Sequence, residues 1–450
     1  MKDVRSEFSE ELFRHPTASY RSKPFWAWNG RLERERLVEQ VDRIHEMGYG
    51  GFCIHSRIGL ETEYLGTEFL DCVRACRERA RSLGMETWLY DEDKWPSGYG
   101  AGRVTKKEEY RAQYLLLTPV FYEEGSVRHA GTEGTRITAD GRVELAARYE
   151  IKLTGGRLAW YRRCSDRETP DKAAGEQGGI RQWYAYRVTV AGQPWFNNAA
   201  YVDVLNPDAI KRFLEVSYEP YAGLFGGTFP GDVPGIFTDE PQMTGWRKRQ
   251  ERTGCESAGG MEDTELLEMS VPYSGCLLDL YREGCAKELF DILPEVFFDP
   301  ADGGFSRYRW LYFRMLAEQF NRSYAGVIGA WCGAHGLALT GHLMSEDTLE
   351  GQSRMSGEAM LSYFHYQLPG VDILADRREY TTLKQVQSAA GQCGKPGVAC
   401  ELYGVTNWDF SFAEKKRQGD WLAALGVTYR IPHLMWYTMG GEAKRVSGSA

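Results

Sequence analysis

The chain alternates short apolar segments with helical patterns, and this alternation limits its fold more than any other feature. Eight segments have the character of strands, at residues 24–30, 50–56, 85–93, 233–240, 337–346, 370–374, 397–404 and 428–438. Strands that alternate with helices form parallel sheets, because each helix returns the chain to start the next strand in the same direction. With 450 residues to place, we predict an α/β fold of the (β/α)8 TIM-barrel type.

Four helical segments support this prediction because each of them ends in glycine. These segments are 34–48, 67–84, 206–226 and 411–426. Glycine is common just past a helix C-terminus, where the backbone often adopts a left-handed conformation. The first two segments also place apolar residues three and four positions apart, which provides one face to bury against a sheet.

Two longer stretches interrupt the alternation and predict a domain organisation. Residues 113–202 alternate polar and apolar side chains between Gly-rich turns, which predicts an inserted β-rich subdomain after the third strand. Residues 244–305 open with a polar stretch and predict a lid or excursion after the fourth strand. The barrel is then expected in two parts, 1–112 and 203–450. Few residues follow the eighth strand, so we expect a piece of a longer protein that is truncated at its C-terminus.

Composition and charge exclude several classes of partner. The formal net charge is -9 and no long basic run occurs, so no nucleic acid partner is expected. No segment approaches the roughly 18 apolar residues of a membrane helix, and the N-terminus lacks the apolar core of a signal peptide. The ten cysteines are scattered without paired CxxC motifs, which predicts free thiols. We therefore predict a soluble, cytoplasmic protein that acts on a neutral or polar substrate.

Polar side chains stand at the predicted C-terminal ends of the strands. In chain order they are Trp28, Asn29, His55, Ser56, Asp91, Glu92, Asp93, Asp239, Glu240, His342, Glu346, Asp372, Glu401, Tyr403, His433 and Trp436. In a parallel barrel these ends converge on one pocket, where barrel enzymes carry their active sites. An acidic residue in such a position can instead cap the following helix. Capping alone does not explain why carboxylates are mixed with Asn, His and Trp.

This mixture is what glycoside hydrolysis requires. One carboxylic acid protonates the leaving oxygen, a second carboxylate activates water or attacks the anomeric carbon, and aromatic faces hold the sugar. A metal-dependent hydrolase would use closely spaced histidines, but His55, His342 and His433 stand on three different strands. Calcium held by acidic oxygens stays an alternative because it needs no histidine. We predict a glycosidase whose partner is a small carbohydrate or oligosaccharide.

Several segments resemble the barrel of glycoside hydrolases related to family 106, the α-L-rhamnosidases. They are PFWAWNGRLE, GGFCIHSRIGLETEYLG, WLYDEDKWPSG, GIFTDEPQ, LTGHLMSE, YQLPGVDIL, CELYGVTNWDFSFAEKKRQGDWLAALGV and HLMWYTMGGEAKR. The resemblance implies a (β/α)8 hydrolase with an inverting mechanism and calcium near its site. Carried over by position, it implies that Glu240 is the general acid and Glu401 the base, with Glu346 as a third catalytic candidate. Relatives are generally longer, with β-sandwich domains after the barrel.

The stretch GIFTDEPQ, residues 235–242, places two carboxylates side by side. Successive strand side chains face opposite ways, so Glu240 is expected to share a pocket-facing side with Thr238, and Asp239 to lie on the other. Pro241 disfavours a helical backbone at the preceding residue, which predicts an extended Glu240. Asp239 is then predicted to bind a hydroxyl or an ion and to raise the pKa of Glu240 by its charge.

The other strand-end residues are predicted to bind the sugar. Asp91 and Asp93 are two apart on a strand and so share a face, which suits vicinal hydroxyls or a cation. His55 and His342 suit hydroxyl recognition, although either could be a core histidine. The remaining predicted binding residues are Trp28, Asn29, Asp239, Asp372, Tyr403, Trp408, His433 and Trp436, and Trp95 is a further aromatic platform.

Other functions are compatible with the same residues. The chain could be a barrel that binds carbohydrate without hydrolysing it, or an inactive fragment of a longer glycosidase. Binding of a sugar without hydrolysis of any aryl glycoside would favour that class. A metal-dependent hydrolase of another bond would lose activity to chelators and regain it with zinc or manganese but not calcium.

Overall fold

The computed structural model of the protein describes residues 9–128, 141–165, 178–246, 268–285 and 287–443. It is a mixed α/β structure with parallel and antiparallel sheets. The strands are β1 Phe25–Gly30, β2 Gly51–Leu60, β3 Glu86–Tyr90, β4 Gln113–Thr118, β5 Val127–Arg128, β6 Gly141–Thr154, β7 Arg157–Arg163, β8 Ile180–Val190, β9 Gly235–Asp239, β10 Met269–Tyr273, β11 Ala338–His342, β12 Gly370–Ile373, β13 Ala399–Leu402, β14 Tyr429–Pro432 and β15 Met435–Trp436.

Helices connect most of these strands. They are α1 Glu10–Arg14, α2 Arg34–Glu46, α3 Thr67–Ser82, α4 Pro207–Phe213, α5 Glu219–Leu224, α6 Leu277–Cys285, α7 Leu289–Phe297, α8 Arg307–Phe320, α9 Gly326–Ala334, α10 Leu349–Met355, α11 Ala359–His365, α12 Tyr380–Gln392 and α13 Phe412–Ala424. Single π-helical turns, Leu214–Tyr218 and Asn321–Ala325, join α4 to α5 and α8 to α9. In the described ranges, no helix is both long and apolar enough to cross a bilayer.

The four predicted helical segments are confirmed, and so are their terminal glycines. Gly48, Gly84, Gly226 and Gly426 all have positive φ angles, of +85°, +69°, +71° and +103°. A Cβ added at Gly48 or Gly84 would meet nothing within 4 Å. The backbone conformation, rather than a lack of space, therefore selects glycine at these two helix ends.

The parallel strands form two sheets. One has six strands in the order β11-β9-β3-β2-β1-β15, and the other has the order β12-β13-β14. Each of the eight predicted strand segments overlaps at least one of these strands, which confirms the predicted parallel α/β character. The last segment supplies two, since β14 pairs with β13 and β15 pairs with β1.

The predicted closed barrel is not formed as one continuous hydrogen-bonded sheet in the described part of the chain. At the junction of the two sheets, Leu368 donates its N–H to the carbonyl of Leu339 at 3.1 Å. Four residues later, the N–H of Asp372 donates to the carboxylate of Glu346 at 3.0 Å. A side chain thus takes the place that a β11 carbonyl would have in a closed ladder.

A separate antiparallel sheet has the order β10-β4-β8-β6-β5, with β7 paired to β6. Five of its strands fall within the predicted insert, but β10 comes from the predicted excursion 244–305. That excursion therefore adds a strand to this sheet, and it also contains α6 and α7. Residues 247–267 of the excursion lie outside the described residues. The domain limits at 113 and 202 stay a prediction.

Side chains of the parallel strands alternate between two packing regions. One region, the interior cluster, consists of Phe25, Ala27, Cys53, Trp88, Tyr90, Phe237, Leu368, Ala399, Ile431 and Leu434. The residues between them, such as Ile236, Leu89 and Cys400, belong to the larger core that includes the helices. Because side chains alternate along a strand, Asp239 and Glu401 face the same side as Phe237 and Ala399.

One buried carboxylate in this framework predicts a pH-dependent effect on stability. Asp203 accepts hydrogen bonds from the Ser274 hydroxyl at 2.6 Å and from the N–H of Leu205 at 3.1 Å. Burial raises the pKa of Asp203 from 3.8 to about 7. Ionisation in the unfolded chain therefore lowers the stability of the folded protein as the pH rises from about 4 to about 7.

Asp203→Asn is expected to raise the thermal midpoint by about 2 °C at pH 8, because an amide retains both hydrogen bonds and has no charge to desolvate. The gain should shrink at pH 5, because at that pH ionisation of Asp203 in the unfolded chain has cost the wild type less stability than at pH 8. Differential scanning calorimetry at the two pH values measures this. An equal or lower midpoint for the variant at pH 8 would contradict the expectation.

Candidate active site

Carboxylates and one histidine meet at the C-terminal ends of β9, β11 and β13. His342 Nε2 lies 3.0 Å from Glu401 Oε2 and 3.4 Å from Asp239 Oδ1. All three side chains are buried. These residues come from strands that are far apart in sequence, and their strand-end positions bring them together as predicted.

The charges of this cluster are set by mutual contact. Burial lowers the pKa of His342, but the Glu401 hydrogen bond and the charges of Asp239 and Asp372 outweigh it, so the pKa is raised well above its ordinary value. Burial raises the pKa of Glu401, but the hydrogen bond and charge of His342 outweigh it and lower the pKa. At neutral pH the pair is therefore an imidazolium and a carboxylate.

Asp239 has a different environment although it touches the same imidazole. The Tyr90 hydroxyl donates to its Oδ2 at 2.7 Å. Burial, followed by the negative charge of Glu401, raises the pKa of Asp239 to about 6, against the opposing charge of His342. Tyr90 was not singled out from the sequence, because a tyrosine within an apolar strand has the pattern of a core residue.

The face assignment predicted for the GIFTDEPQ stretch is wrong. Thr238 bonds through its hydroxyl to the Tyr324 hydroxyl at 2.8 Å, in the helix layer, and Phe237 lies in the interior cluster. The strand side that carries Phe237 and Asp239 therefore faces the pocket, and the side that carries Thr238 does not. A strand continued by one more residue would have directed Glu240 toward the helices.

The Glu240 side chain does not point toward the helices, because the backbone of this residue is left-handed. Its φ is +48°, whereas the following Pro241 predicted an extended residue. Its N–H donates to the carbonyl of His342 at 3.2 Å. A non-glycine residue with this φ before a proline is strained, and such strain is typical of functional sites. The turn at Glu240 places its carboxyl beside the indole of Trp95.

The Glu240 carboxyl is held in a protonated state. Trp95 Nε1 donates to its Oε2 at 2.8 Å. Burial raises the pKa of Glu240 to about 8, the charges of Asp239 and Glu401 add to this rise, and the charge of His342 opposes it. The predicted influence of Asp239 is present, but burial is the larger cause.

Arg57 is a site residue that the sequence did not indicate. Its Nη1 lies 3.1 Å from His55 Nε2, and its Nη2 lies 3.4 Å from His433 Nε2. Burial lowers the pKa of both rings, that of His433 to about 4, so both are neutral and accept from the guanidinium. Its positive charge lowers the pKa of Glu401. Arg57 was missed because the predicted strand stopped at residue 56, whereas β2 continues to residue 60.

Three other predicted residues lie around this centre in different ways. His55 is fully buried and stacks on Tyr90 with ring centroids 3.8 Å apart, and its Nε2 contacts Arg57. Asp372 is half-buried, and this burial, followed by the negative charge of Glu401, raises its pKa well above the ordinary value. Trp436 is half-buried against the interior cluster.

Glu346 is occupied by contacts within the chain. Its Oε2 accepts from the Tyr363 hydroxyl at 2.6 Å and from the N–H of Leu343 at 3.3 Å. Its Oε1 accepts from Asp372 at the junction of the two parallel sheets. Burial raises its pKa to about 7. These contacts assign Glu346 a role in joining the sheets.

The two predicted binding residues of the first strand make contacts that do not involve the carboxylate cluster. Trp28 packs against Trp26 and Phe69, on the side of β1 that faces the helices. Asn29 donates to the carbonyls of Thr438 and Ala443, at 2.9 and 2.8 Å, and accepts from the N–H of Thr438. The segment after β15 covers Asn29, which no local pattern could indicate.

Asp91 and Asp93 do not share a face, because β3 ends at Tyr90. Asp91 is fully buried and accepts from the hydroxyls of Ser97 at 2.5 Å and Tyr218 at 2.8 Å. Asp93 instead accepts from the Ser56 hydroxyl at 2.9 Å. The alternation of side chains cannot be extended beyond the last residue of a strand.

Two aromatic residues predicted to bind sugar lie in the loop after β13. Tyr403 donates its hydroxyl to the carbonyl of Lys415 at 3.0 Å. Trp408 is 63% exposed. In this structure neither is placed among the buried carboxylates.

Within the described part of the chain, two groups of side chains could hold a metal ion by proximity. They are Asp239, His342 and Glu401, and Glu240, His342 and Asp372, with ligand atoms within 4.8 Å of one another in each group. Neither group as arranged fits the calcium expected from the resemblance. Calcium takes six to eight oxygen ligands, whereas both groups include His342, whose raised pKa leaves it protonated and without a free lone pair.

Comparisons with known proteins show the fold of the chain but not its family. No family model matches the sequence, and no curated protein matches it. A rhamnosidase from Novosphingobium sp. PP1Y superposes with a TM-score of 0.66 at 13% identity, over 97% of this chain and 57% of that protein. A polyextremophilic beta-galactosidase from the Antarctic haloarchaeon Halorubrum lacusprofundi aligns with a TM-score of 0.47 at 12% identity, over 92% of this chain and 52% of that protein.

The chain therefore shares the fold of this rhamnosidase and spans a little over half of its length. Identity this low supports a shared fold and does not transfer an activity. The resemblance to family 106 stays a prediction.

Proposed function

We propose that the chain is a glycoside hydrolase in which Glu240 is the general acid and Glu401 the general base. One observation carries this proposal: the half-buried carboxyl of Glu240 and the buried carboxyl of Glu401 have pKa values shifted in opposite directions. The pKa of Glu240 is raised to about 8, and that of Glu401 is lowered. Paired carboxyls with pKa values pushed apart by their environments are the signature of an acid and a base.

In the proposed reaction, Glu240 begins protonated and Glu401 begins ionised. Glu240 donates its proton to the glycosidic oxygen as the bond to the anomeric carbon breaks. Glu401 removes a proton from a water molecule that attacks the opposite face of the sugar. The imidazolium of His342 keeps Glu401 ionised between turnovers, and Arg57 adds a second positive charge. Direct attack by water inverts the anomeric configuration, so proton NMR of the first product should show the opposite anomer.

The proposal includes the barrel that the sequence predicts. The interior cluster combines side chains from both parallel sheets, such as Phe237 from one and Ala399 from the other. The segment that forms β14 and β15 also connects an edge of each sheet. Both features support the two sheets as walls of one (β/α)8 barrel. The active ends of its strands would then surround Glu240 and Glu401.

The substrate is proposed to be an α-L-rhamnoside. The family-106 resemblance of the strand-end motifs supports this choice, and so does the fold shared with a rhamnosidase. Calcium is retained only as an expectation of that resemblance. Assays with and without a chelator test it directly.

The wild-type protein is expected to hydrolyse an aryl glycoside in a panel that begins with 4-nitrophenyl α-L-rhamnoside. The rate should fall above about pH 8, because Glu240 then loses the proton that it must donate. Initial rates between pH 4 and 10 measure this limb. A sugar that binds without hydrolysis of any substrate would instead support a non-catalytic carbohydrate-binding barrel.

A further inference from the structure

The buried Glu92 does not face the pocket, yet both oxygens of its carboxyl group accept hydrogen bonds from backbone N–H groups. Its Oε1 accepts the N–H of Asp93 at 3.0 Å and that of Ala101 at 2.6 Å. Its Oε2 accepts the N–H of Gly98 at 3.1 Å and that of Gly100 at 2.7 Å. One side chain thus folds the loop that follows β3 around itself.

This loop contacts the side chain of the proposed acid and also the backbone of the residue before it. Its Trp95 donates to the Glu240 carboxyl at 2.8 Å. Its Ser97 is bonded to the backbone just before the acid: the Ser97 N–H donates to the Asp239 carbonyl, and the Asp239 N–H donates to the Ser97 hydroxyl oxygen, both at 2.8 Å. The loop therefore contacts both the side chain and the supporting backbone of the acid.

The backbone of Glu240 requires such support. A left-handed residue before a proline costs free energy and persists only when its surroundings over-determine it. Ser97 itself is anchored, because its hydroxyl donates to the buried carboxylate of Asp91 and its carbonyl accepts from Tyr201 at 2.6 Å. Contacts from Asp91 just after β3, from the loop and from the segment after β8 thus converge on one turn.

We propose that Glu92 is a positioning residue for the reaction: it folds the loop between Asp93 and Ala101, and the loop holds Glu240 through Trp95 and Ser97. The proposal rests on the function proposed above. Glu92 acts on proton donation, since it reaches the acid through the loop and its Trp95. Loss of Glu92 should therefore matter most where the leaving group needs a proton.

Glu92→Gln tests this role. In either orientation of the glutamine amide, its NH2 group faces two backbone N–H donors and cannot accept hydrogen bonds from them. Two of the four hydrogen bonds are therefore lost, and the loop is no longer held. With the sugar that the wild type hydrolyses, we expect kcat for the phenyl glycoside to fall at least about tenfold. We expect kcat for the 2,4-dinitrophenyl glycoside to change less than about threefold, because this leaving group departs without a proton.

Two further variants complete the design. Trp95→Phe removes the indole N–H donor together with the five-membered part of the ring, and it should give the same leaving-group dependence as Glu92→Gln. The double variant should be no slower than the slower single variant, because both changes interrupt one path. Asp203→Asn, a buried carboxylate changed to an amide in a different contact, should leave both rates unchanged.

Amide hydrogen exchange gives a readout that does not depend on activity. Gly98, Gly100 and Ala101 should be protected in the wild type and exchange at least about tenfold faster in Glu92→Gln. Unchanged exchange would overturn the folding of the loop by Glu92. Equal loss of rate on both glycosides would overturn its link to proton donation. Absence of hydrolysis by the wild type would refute the proposed function and that link, while exchange would still decide whether Glu92 folds the loop.

Discussion

Glu240→Gln and Glu401→Gln are each expected to lower kcat on a phenyl glycoside by about 10²- to 10⁴-fold, the usual contribution of a general acid or base. An amide neither donates the proton of Glu240 nor accepts one from water at Glu401. Both changes preserve volume, and the new carbonyl at position 401 can still accept from His342. Circular dichroism should therefore show a folded protein in each case.

The leaving group separates the two roles. Glu240→Gln should recover most of its activity on a 2,4-dinitrophenyl glycoside, whereas Glu401→Gln should stay inactive because attack by water is still required. Glu39→Gln is the matched control, since Glu39 is a largely exposed residue of α2 with a 3.7 Å surface ion pair to Arg43. Near-normal rates on the phenyl glycoside in either pocket variant would refute the assignment.

His342→Gln is expected to move the acidic limb of the pH–rate profile upward and to lower the thermal midpoint. The imidazolium lowers the pKa of Glu401 against burial, which raises it. Without that charge, Glu401 is protonated over a wider range, and the base is lost at a higher pH. Leaving Asp239 and Glu401 without their buried cation should also cost about 3 to 5 kcal/mol.

Rates between pH 4 and 8 and calorimetric midpoints measure both effects. His335→Gln provides the control, because His335 stacks on Trp331 and lies at the C-terminal end of α9, outside the carboxylate cluster. An acidic limb that stays in place in His342→Gln would contradict the proposed function of the imidazolium. So would a midpoint equal to that of the wild type.

Local sequence patterns predict much of the fold and part of the candidate site. Within short segments, the spacing of apolar residues and the residues typical of helix ends predict the parallel strands, the helices and their C-terminal glycines. Asp239, His342, Asp372 and Glu401 were found because each stands near the end of an apolar strand.

The errors arose where a strand end or a turn departs from regular geometry. The pair Asp91 and Asp93 was assigned one face of a strand that stops at Tyr90. Arg57 was overlooked on a strand that continues beyond its apolar part. Glu240 was assigned to the pocket through an extended backbone, whereas a φ of +48° brings it there.

By itself, the sequence determined which chemical groups are available at the ends of the parallel strands. The tertiary structure decided which of those groups meet and which protonation state each one has. His342 and Glu401, 59 residues apart, come within 3.0 Å. Solvation and Coulomb energies depend on such distances and on burial, and neither quantity can be read from neighbours in the chain. The proposed acid and the proposed base are both glutamates, so they are chemically identical in the sequence. Their pKa values differ only in the folded pocket.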